Sequence, residues 1–454
     1  MATHAGTTRP RPGDALELSV GDLAFGGAGV ARLDGYVVFV DGGMPGDRVR
    51  AEVVKSKRGY AQARAVEVLE AGPDRIEPAA PGHPGAPWQV LPYERQLEVK
   101  RAQVDDALRR IGRLDGFELE PTVPAEATWR YRNKVEYSFG VDDGGELVCG
   151  FHAPGRFDRI DAVDDDRLAS EAIGALRERV VEWCRAEGLS GYDRRAHEGL
   201  LRNLVVRESR REGRLQARLV TSPGELRIDE LARAAGAGGF FWTRTESMGE
   251  TTAGGETAHV AGDPHLDEAL AGLRFRISPE AFFQTNTEMA ERLYGVAAGY
   301  AALEGWERVY DLYCGIGTVG LTLAPRAAEL WGLEISEEAV ADAIENARRN
   351  EIDNARFFAG DVRLALRELV AEAGRPDVLV VDPPRAGLSQ KVVRRVIEAA
   401  PRRIVYVSCN PTTLAPNAAQ LGEAGWALRR VRPVDMFPQT PHIECVALLE
   451  RAGG

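Results

Sequence analysis

Residues 308–336 read RVYDLYCGIGTVGLTLAPRAAELWGLEIS, which predicts a buried strand, a glycine-rich turn, a helix and a second strand. The first strand is largely apolar, as expected of parallel strands covered on both faces. Gly315, Gly317 and Gly320 form the pattern G-x-G-x-x-G, whose glycines let the backbone approach a ligand at the start of the helix. Glu334 ends the second strand, 14 residues after Gly320, where a carboxylate can accept hydrogen bonds from ribose hydroxyls. The stretch therefore predicts a nucleotide-binding turn within a doubly wound α/β sheet.

The alternation of strand and helix continues from about residue 276 to the end of the chain. Apolar runs predict strands at ELWGLEI, ARFFAGD, DVLVVDPP and RIVYVSCNP, and helices lie between them. The clearest helix is SEEAVADAIENARRNEI, which Ser336 opens as N-cap with two glutamates in its first turn. HIECVALLERA supplies a last strand. Residues 276–454 are therefore predicted to form one open, doubly wound α/β domain.

The chain before this domain shows two other patterns. Residues 1–12 predict a disordered tail, and residues 13–72 contain short β-rich runs broken by glycine turns, which predicts a small β-barrel. Residues 73–275 start with a proline- and glycine-rich linker and a helix, then mix strands and helices, which predicts a central α+β domain. One barrel hairpin collects side chains that suit either a solvated surface or an oligonucleotide groove: Arg48, Arg50, Lys55, Lys57, Arg58, Tyr60 and Arg64.

Composition restricts the class of protein. The net charge of −12 argues against nucleic-acid binding driven by overall charge, although a local patch can still bind RNA. No apolar run approaches the roughly 20 residues that span a bilayer, and residues 1–12 lack the apolar stretch of a signal peptide. The five cysteines include no C-x-x-C pair, so neither a disulfide framework nor a metal site is indicated. We therefore expect a cytoplasmic protein with no membrane partner and no bound metal.

The glycine-rich turn alone does not identify the cofactor. Both NAD and S-adenosylmethionine present a ribose to such a turn, so the motif favours neither. The fourth strand is followed by DPPR, residues 382–385, at the sheet edge where ligands bind. Its consecutive prolines make a rigid turn without backbone donors, which suits a platform for a planar base beside S-adenosylmethionine. Asp361 ends the third strand, where it either faces the adenine or caps the next helix.

Cys409 and Glu444 are the candidate catalytic pair. Cys409 ends the fifth strand in VSCNP, beside DPPR in the expected strand order, and a thiolate is strongly nucleophilic even when little of it is ionised. Addition of that thiolate to C6 of a uracil would let C5 attack a sulfonium methyl group, after which a general base must remove the C5 proton. Glu444 in PHIECVALL is the candidate base, because partial burial raises the pKa of a carboxylate. Cys314 lies inside the glycine turn, where packing is its expected role.

These motifs together resemble the RNA uracil-5-methyltransferase family, whose members make 5-methyluridine in tRNA and 23S rRNA. The resemblance covers about residues 14–450, and the barrel resembles the family's TRAM domain. YRNKVEYSFG (131–140) and LLRNLVVRES (200–209) resemble the family's central domain. The catalytic domain carries six strings in the family's order and spacing: SPEAFFQTN (278–286), DLYCGIGTVGL (311–321), GLEIS (332–336), DPPRAGL (382–388), VSCNPTTLA (407–415) and DMFPQTPHIECVALL (435–449).

The resemblance implies a class I S-adenosylmethionine-dependent methyltransferase fold, preceded by an RNA-binding TRAM barrel of OB-like type and a central RNA-recognition domain. Carried over by position, Cys409 would be the nucleophile and Glu444 the proton acceptor. Phe282 and Phe283 would lie near a base flipped out of its stack, with ordinary core packing as the alternative for each. S-adenosylmethionine would be bound by Gln284, Tyr313, Glu334, Asp361 and Asp382.

One departure from the family concerns metal. Many members carry four cysteines for an iron–sulfur cluster just after the barrel, whereas EPAAPGHPGAPWQVLPYERQLEVK (77–100) contains no cysteine. His83 and Ala86 fall roughly where two of those ligands would be, and Asp166 falls near the place of the last. We therefore expect no iron–sulfur cluster.

Three functions remain open at this point, and a methyltransferase of RNA is preferred because both Cys409 and Glu444 are present. A nucleotide-dependent oxidoreductase is supported only by the glycine turn. A catalytically silent RNA-binding protein on the same scaffold is the third. We expect 23S rRNA rather than tRNA as the substrate, because the tRNA-specific bacterial branch of the family generally lacks a TRAM domain; tRNA is the alternative. We expect a monomer.

Overall fold

The computed structural model describes residues 9–451 apart from 143, 250, 251 and 253. Residues 1–8 of the predicted disordered tail thus lie outside the described residues. The chain divides into two compact units, of which one comprises residues 1–107 with 437–443 and the other 108–436 with 444–454. None of the helices in the described ranges is both long enough and apolar enough to cross a membrane.

A small closed barrel opens the first unit. Its strand order is β1-β2-β3-β5-β4, in which β3 and β5 run parallel and the other neighbours antiparallel. Alternate valine, alanine and leucine side chains fill the interior, as the two-residue period of a strand requires. The predicted barrel is therefore confirmed. Its strands are β1 (Ala15–Leu23), β2 (Gly29–Leu33), β3 (Tyr36–Asp41), β4 (Arg48–Ser56) and β5 (Tyr60–Glu70).

The rest of the first unit packs around Trp88 and is discontinuous in sequence. Helix α1 (Tyr93–Asp106) follows the proline-rich segment and passes into a π-helical turn at Ala107–Ile111. The Gln96 side-chain amide donates hydrogen bonds to the backbone oxygen of Trp88 at 3.1 Å and to Oε1 of Gln439 at 2.8 Å. Its own Oε1 accepts from the backbone N–H of Gln439 at 2.9 Å. Residues 437–443 therefore complete a core whose other parts lie more than three hundred positions earlier: the separation between Gln96 and Gln439 is 343.

A mixed sheet forms the central part of the second unit, in the order β13-β12-β11-β10-β7-β8-β9. Two helices cover one face of this sheet with leucine, valine and isoleucine side chains. The opposite face carries polar and charged side chains, among them Asn203, Arg207 and Arg218. The elements are β7 (Lys134–Val141), β8 (Leu147–His152), β9 (Ile160–Ala162), α2 (Glu171–Ala186), β10 (Leu201–Glu208), β11 (Leu215–Thr221), α3 (Ile228–Ala235), β12 (Gly239–Arg244) and β13 (Glu256–Gly262). The short strand β6 (Glu118–Leu119) precedes them and joins the sheet described next.

The catalytic sheet has the order β18-β17-β16-β19-β20-β22-β21-β6. Its first five strands are parallel, and β22 runs antiparallel to both β20 and β21. The predicted doubly wound α/β fold is therefore confirmed. Hairpin strands β14 (Leu266–Leu270) and β15 (Leu273–Ile277) lead into it. Its elements are α4 (Thr287–Ala301), β16 (Arg308–Leu312), α5 (Thr318–Leu323), β17 (Glu329–Glu334), α6 (Glu337–Arg349), β18 (Ala355–Ala359), α7 (Val362–Ala373), β19 (Val378–Val381), α8 (Gln390–Ala399), β20 (Arg403–Ser408), α9 (Pro411–Glu423), β21 (Trp426–Val434) and β22 (Glu444–Arg451).

The strand order creates one favoured place for a ligand. From β16 the chain builds β17 and β18 on one side, then crosses to β19 and β20 on the other. The direction of winding reverses at that point, and in open α/β sheets ligands bind outside the carboxyl ends of the strands where it does so. Because β22 is antiparallel, its first residue lies at the same edge as the ends of the parallel strands.

Candidate active site

The carboxyl edge of the catalytic sheet gathers most of the predicted site residues. Glu334 is the last residue of β17, and Tyr313 follows β16 directly. Asp382 follows β19, Cys409 follows β20, and Glu444 is the first residue of β22. Residues far apart in sequence are thus brought to one edge by the topology.

Cys409 and Glu444 occupy neighbouring positions on adjacent strands. Ser408 pairs with Cys445 in the antiparallel β20–β22 ladder, so the next position outward places Cys409 opposite Glu444. Residues directly opposite in such a ladder direct their side chains to the same face. All five cysteines are described; Cys409 is partly exposed, and the other four are buried. Cys409 is therefore the cysteine that a dissolved substrate can reach.

Burial governs the ionisation of both members of this pair. Burial, followed by the charges of Glu444 and Asp382, raises the pKa of the Cys409 thiol to about 11, and Arg385 opposes the rise. Burial also raises the pKa of Glu444 well above its usual range, and the charge of Asp382 acts in the same direction. Glu444 is only 6% exposed. In the free protein at neutral pH, Cys409 is thus held mainly as a thiol.

The turn after β19 is tied to the turn after β20. The backbone oxygen of Arg385 accepts hydrogen bonds from Nδ2 of Asn410 at 3.1 Å and from Oγ1 of Thr413 at 3.4 Å. Oδ1 of Asn410 also caps α9 by accepting from the N–H of Thr412 at 3.0 Å. Asp382, which opens the first turn, is partly exposed, and desolvation of its carboxyl by the surrounding protein raises its pKa to about 6. The two turns form one rigid wall beside Cys409.

The glycine turn is organised around Glu334. Its carboxylate accepts hydrogen bonds from the backbone N–H groups of Gly315 at 3.1 Å, Ile335 at 2.8 Å and Ser336 at 3.1 Å. Tyr313 has a φ of 64°, a left-handed conformation that is unfavourable for a bulky side chain. The first glycine has open space around it, since a Cβ at Gly315 would meet no atom within 4 Å.

Sequence reasoning missed Asp311, which lies inside β16. Its side chain is fully buried, Oδ2 accepts a hydrogen bond from the N–H of Gly320 at 2.8 Å, and Oδ1 has no hydrogen-bond partner among the described residues. Burial raises the pKa of this carboxyl to about 8, and the charges of Asp382 and Glu334 contribute to the rise. An acidic residue within an otherwise apolar strand was the signal that could have revealed it.

The remaining predicted site residues are Gln284, Phe282, Phe283 and Asp361, and each has a structural environment of its own. Gln284 is buried, and its backbone oxygen accepts a hydrogen bond from Nδ2 of Asn133 at 2.9 Å. Phe283 is buried, so the core-packing alternative holds for it, whereas Phe282 is 69% exposed. Asp361 caps α7 by accepting from the N–H of Arg363 at 2.8 Å. The helix-cap alternative for Asp361 is thereby confirmed, and its predicted contact with the adenine stays a prediction.

No group of three or more histidine, cysteine, aspartate or glutamate side chains able to hold a metal ion occurs in the described ranges. Of the residues aligned with cluster ligands, Ala86 is buried. Nδ1 of His83 accepts from the N–H of Gly85 at 3.1 Å, and Oδ2 of Asp166 accepts from the hydroxyl of Tyr137 at 2.9 Å. Each of the two titratable positions therefore has a local structural contact.

The parallel sheet with its antiparallel β22, the glycine turn and the acidic end of β17 together define the class of S-adenosylmethionine-dependent methyltransferases. A family model described as tRNA (uracil-5-)-methyltransferase matches residues 265–452, and a TRAM domain model matches residues 10–66. RNA methyltransferases with similar sequences include one from Halalkalibacterium halodurans, 37% identical over 96% of this chain and 97% of its own length. Another, from Gloeobacter violaceus, is 39% identical over 97% of both chains. The chain therefore belongs to the RNA (uracil-5-)-methyltransferase family and is an RNA methyltransferase.

A solved structure agrees with this assignment. The tRNA (uracil-54, C5)-methyltransferase of Pyrococcus abyssi, in complex with S-adenosyl-L-homocysteine, matches with a TM-score of 0.78 at 28% identity. The match covers 96% of this chain and 100% of that chain. Family membership decides for methyl transfer over the oxidoreductase alternative.

Proposed function

We propose that this protein methylates C5 of a uridine in RNA with S-adenosylmethionine, using Cys409 as a covalent nucleophile and Glu444 as the general base. The observation that carries the proposal is the pairing of Ser408 with Cys445. Continued by one residue, this register brings Cys409, directly after β20, opposite Glu444, the first residue of β22. A nucleophile and a base on the same face can act on adjacent carbons of one pyrimidine ring.

The residues of the carboxyl edge fit S-adenosylmethionine. The open space at Gly315 lets the backbone approach a ligand, and Glu334 offers carboxylate oxygens of the kind that bind ribose hydroxyls. Oδ1 of Asp311 is buried without a hydrogen-bond partner among the described residues, so it is a polar atom that a bound ligand can satisfy. S-adenosylmethionine supplies an electrophilic methyl group when bound. Tyr313, Asp382, Gln284 and, less directly, Asp361 are proposed to complete its binding site.

The chain's own residues account for the proton and bond changes. Cys409, which is partly exposed, first loses its thiol proton to solvent water. Sγ then adds as the thiolate to C6 of uracil, and the electron pair of the C5–C6 double bond becomes available at C5. After C5 has taken the methyl group, Glu444 accepts the C5 proton. The C6–S bond then breaks, which restores the C5–C6 double bond and returns Cys409 as thiolate. The raised pKa of Glu444 makes it a stronger base than an exposed carboxylate.

We propose 23S rRNA as the substrate, on the presence of the TRAM domain. The second candidate is tRNA, and one observation favours it. The Pyrococcus abyssi protein, which is named for uracil 54 of tRNA, is matched along its entire length. A protein named for tRNA therefore has the same domains as this chain, so the domain composition agrees with tRNA as well as with 23S rRNA.

The test is release of tritium from RNA labelled at uracil C5. The protein would be incubated with S-adenosylmethionine and unmodified cellular RNA, and the methylated RNA would then be sized. We expect release that depends on cofactor and is abolished in Cys409→Ala, while Cys184→Ala, which removes a buried thiol of the central domain, retains activity. Absence of release from folded wild-type protein, with both rRNA and tRNA supplied, would overturn the proposal.

Covalency has its own readout. RNA containing 5-fluorouridine has no C5 proton to lose, so an adduct with Cys409 cannot resolve. We expect a protein–RNA species that survives denaturing electrophoresis for wild type and for Glu444→Gln, but not for Cys409→Ala. Methylation of ordinary RNA without any trapped species would contradict the covalent route.

A further inference from the structure

Residues 278–286 form a segment that is fixed on both sides of an exposed aromatic ring. Phe282 is 69% exposed, although its neighbours Ala281 and Phe283 are 9% and 4% exposed. Isolated exposed apolar side chains are common. This one differs because the central sheet binds the backbone immediately before and after it.

Arg207 on β10 holds the residue before the ring. Its guanidinium donates a hydrogen bond through Nη2 to the backbone oxygen of Ala281 at 2.8 Å, and Nη1 lies 3.5 Å from the oxygen of Ser278. The side chain is only 4% exposed, and burial, with Arg218 nearby, lowers the pKa of Arg207 to about 10. Burying a guanidinium is costly unless its hydrogen bonds are satisfied. The hydrogen bond to Ala281 is therefore needed to offset the cost of burying Arg207.

Asn133, immediately before β7, holds the residues after the ring. Its Nδ2 donates to the backbone oxygen of Gln284 and to Oγ1 of Thr287, both at 2.9 Å, and its N–H donates to the oxygen of Thr285 at 2.8 Å. Thr287 in turn donates through Oγ1 to Oε2 of Glu268 at 3.2 Å. Asn133 is 2% exposed, so these bonds are shielded from water.

The anchored segment leads directly into the catalytic layer. Asn286 caps α4 by accepting from the N–H of Met289 at 3.2 Å, and its Nδ2 donates to the oxygen of Met436 at 2.9 Å. Helix α4 packs against β20, which Cys409 directly follows, and against β22, which begins with Glu444. The backbone that carries the ring is thereby anchored to the helix that packs on the catalytic strands, within one unit.

We propose that Arg207 and Asn133 are positioning residues that hold Phe282 in place, so that its ring stacks on an unstacked base of the RNA substrate. The inference rests on the proposed function. Aromatic side chains stack on any exposed base, and a ring fixed before binding loses less conformational entropy on binding than a mobile one. The central sheet therefore acts on the substrate through Phe282 rather than by direct contact of Arg207 or Asn133 with RNA.

The test is a double-mutant cycle of Arg207→Met and Phe282→Ala, measured on methylation of the folded RNA that the tritium-release assay selects. We expect each single variant to lower kcat/KM by roughly 10- to 100-fold and the double variant to be no worse than the poorer single one. Arg207→Lys, which retains a cationic donor group on a single nitrogen, should recover part of the loss. S-adenosylhomocysteine should raise the melting temperature of every variant by as much as that of wild type.

A matched control is Arg177→Met. Arg177 is 4% exposed and donates through Nη2 to the backbone oxygen of Asp164 at 3.0 Å, so it is another buried arginine of the central domain holding a different loop. Arg177→Met should leave kcat/KM within about threefold of the wild-type value. Amide hydrogen exchange of residues 278–286 should accelerate in Arg207→Met and Asn133→Ala but not in Arg177→Met.

Additive losses in the cycle would overturn the inference, because they would show that Arg207 does not act through Phe282. An equal loss in Arg177→Met would overturn it as well. If Arg207→Met does not fold, a double-mutant cycle of Asn133→Ala with Phe282→Ala tests the same inference. Inactive wild-type protein would count instead against the proposed function, so the two failures are distinguishable.

Discussion

At the scale of single residues, charge controls the reactivity of Cys409. The pKa of about 11 results first from burial and then from the carboxylates of Glu444 and Asp382, with Arg385 opposing them. The thiolate fraction, and with it the rate of attack on an electrophile, therefore rises with pH across the neutral range. A cysteine held in this way resists adventitious oxidation and alkylation.

The charges around Cys409 can be tested by alkylation with iodoacetamide at pH 8. The pKa of Asp382 is about 6, so its carboxyl is ionised at this pH and Asp382→Asn should accelerate alkylation of Cys409 by roughly 3- to 10-fold. Arg385→Gln should slow it, because it removes the opposing positive charge. Mass spectrometry of the Cys409 peptide measures both rates, and a shift of both variants in the same direction would contradict the electrostatic account.

Asp311 predicts a pH dependence of stability. Its carboxyl has a pKa of about 8 in the folded protein against 3.8 for an unperturbed carboxyl. Between those values the folded state holds a proton that unfolding releases, so a rise in pH favours unfolding. The free energy of unfolding should fall by up to about 1.4 kcal/mol per pH unit from this group.

Asp311→Asn tests this dependence, because an asparagine can still accept the hydrogen bond of Gly320 but cannot titrate. Denaturant unfolding of wild type and variant between pH 5 and pH 8 provides the comparison. The variant should lose less stability as the pH rises. Parallel curves would show that Asp311 is already ionised in the fold.

At the scale of elements, the tight approach of β16 to α5 sets the shape of the glycine turn. A Cβ at Gly320 would lie 2.7 Å from Oδ2 of Asp311 and 2.9 Å from Cδ2 of Leu330. Gly320→Ala should therefore destabilise the protein by about 1–3 kcal/mol and weaken binding of S-adenosylhomocysteine. Thermal unfolding with and without that ligand measures both effects.

Gly299→Ala is the matched control for this substitution. Gly299 lies within α4 and its Cβ would meet no atom within 4 Å. Alanine there should stabilise the protein by about 0.4–1 kcal/mol, and the response to ligand should remain unchanged. If both alanine substitutions destabilised the protein equally, the close contacts at Gly320 would not explain its effect.

Elements were predictable where local pattern and burial agree. The apolar runs around DLYCGIG and DPPR become β16 and β19 because strands covered on both faces must be apolar, and the order of β19 and β20 follows from the fold class. Asp311 escaped prediction because its burial depends on neighbours from other strands. Likewise, two adjacent phenylalanines have identical local sequence preference, and only the anchoring of residues 278–286 makes Phe283 buried and Phe282 exposed.

At the scale of the whole molecule, an acidic protein needs a local basic surface to bind RNA, and we propose the barrel hairpin for this role. Arg48 is paired with Glu17 and Glu70, and Arg50 with Glu67. Lys55, Lys57 and Arg58 are exposed, and no ion pair to a described residue involves them. The charges of Arg48 and Arg50 are therefore largely neutralised. Lys55, Lys57 and Arg58 retain their positive charges, which can bind phosphates.

Replacing Lys55, Lys57 and Arg58 together by glutamate should weaken RNA binding and reduce its salt dependence. Each lost phosphate contact should lower the slope of log affinity against log salt by about 0.7–0.9. The double substitution of Arg48 and Arg50 by glutamine is the control and should have a smaller effect, because both arginines are already paired with glutamates. Filter binding across a salt series distinguishes them, and equal slopes for wild type and the glutamate variant would exclude the hairpin as a contact.

The discontinuity of the first unit has a consequence for synthesis of the chain. The side chain of Gln96 leaves the ribosome hundreds of residues before its partner Gln439. The core around Trp88 therefore lacks residues 437–443, and stays incomplete, while the strands of the catalytic sheet up to β21 are synthesised. Translation of the last residues supplies at once the segment that completes this core and the strand that begins with Glu444. A nascent chain stalled before residue 437 would thus lack both, so incomplete products should be inactive and readily degraded.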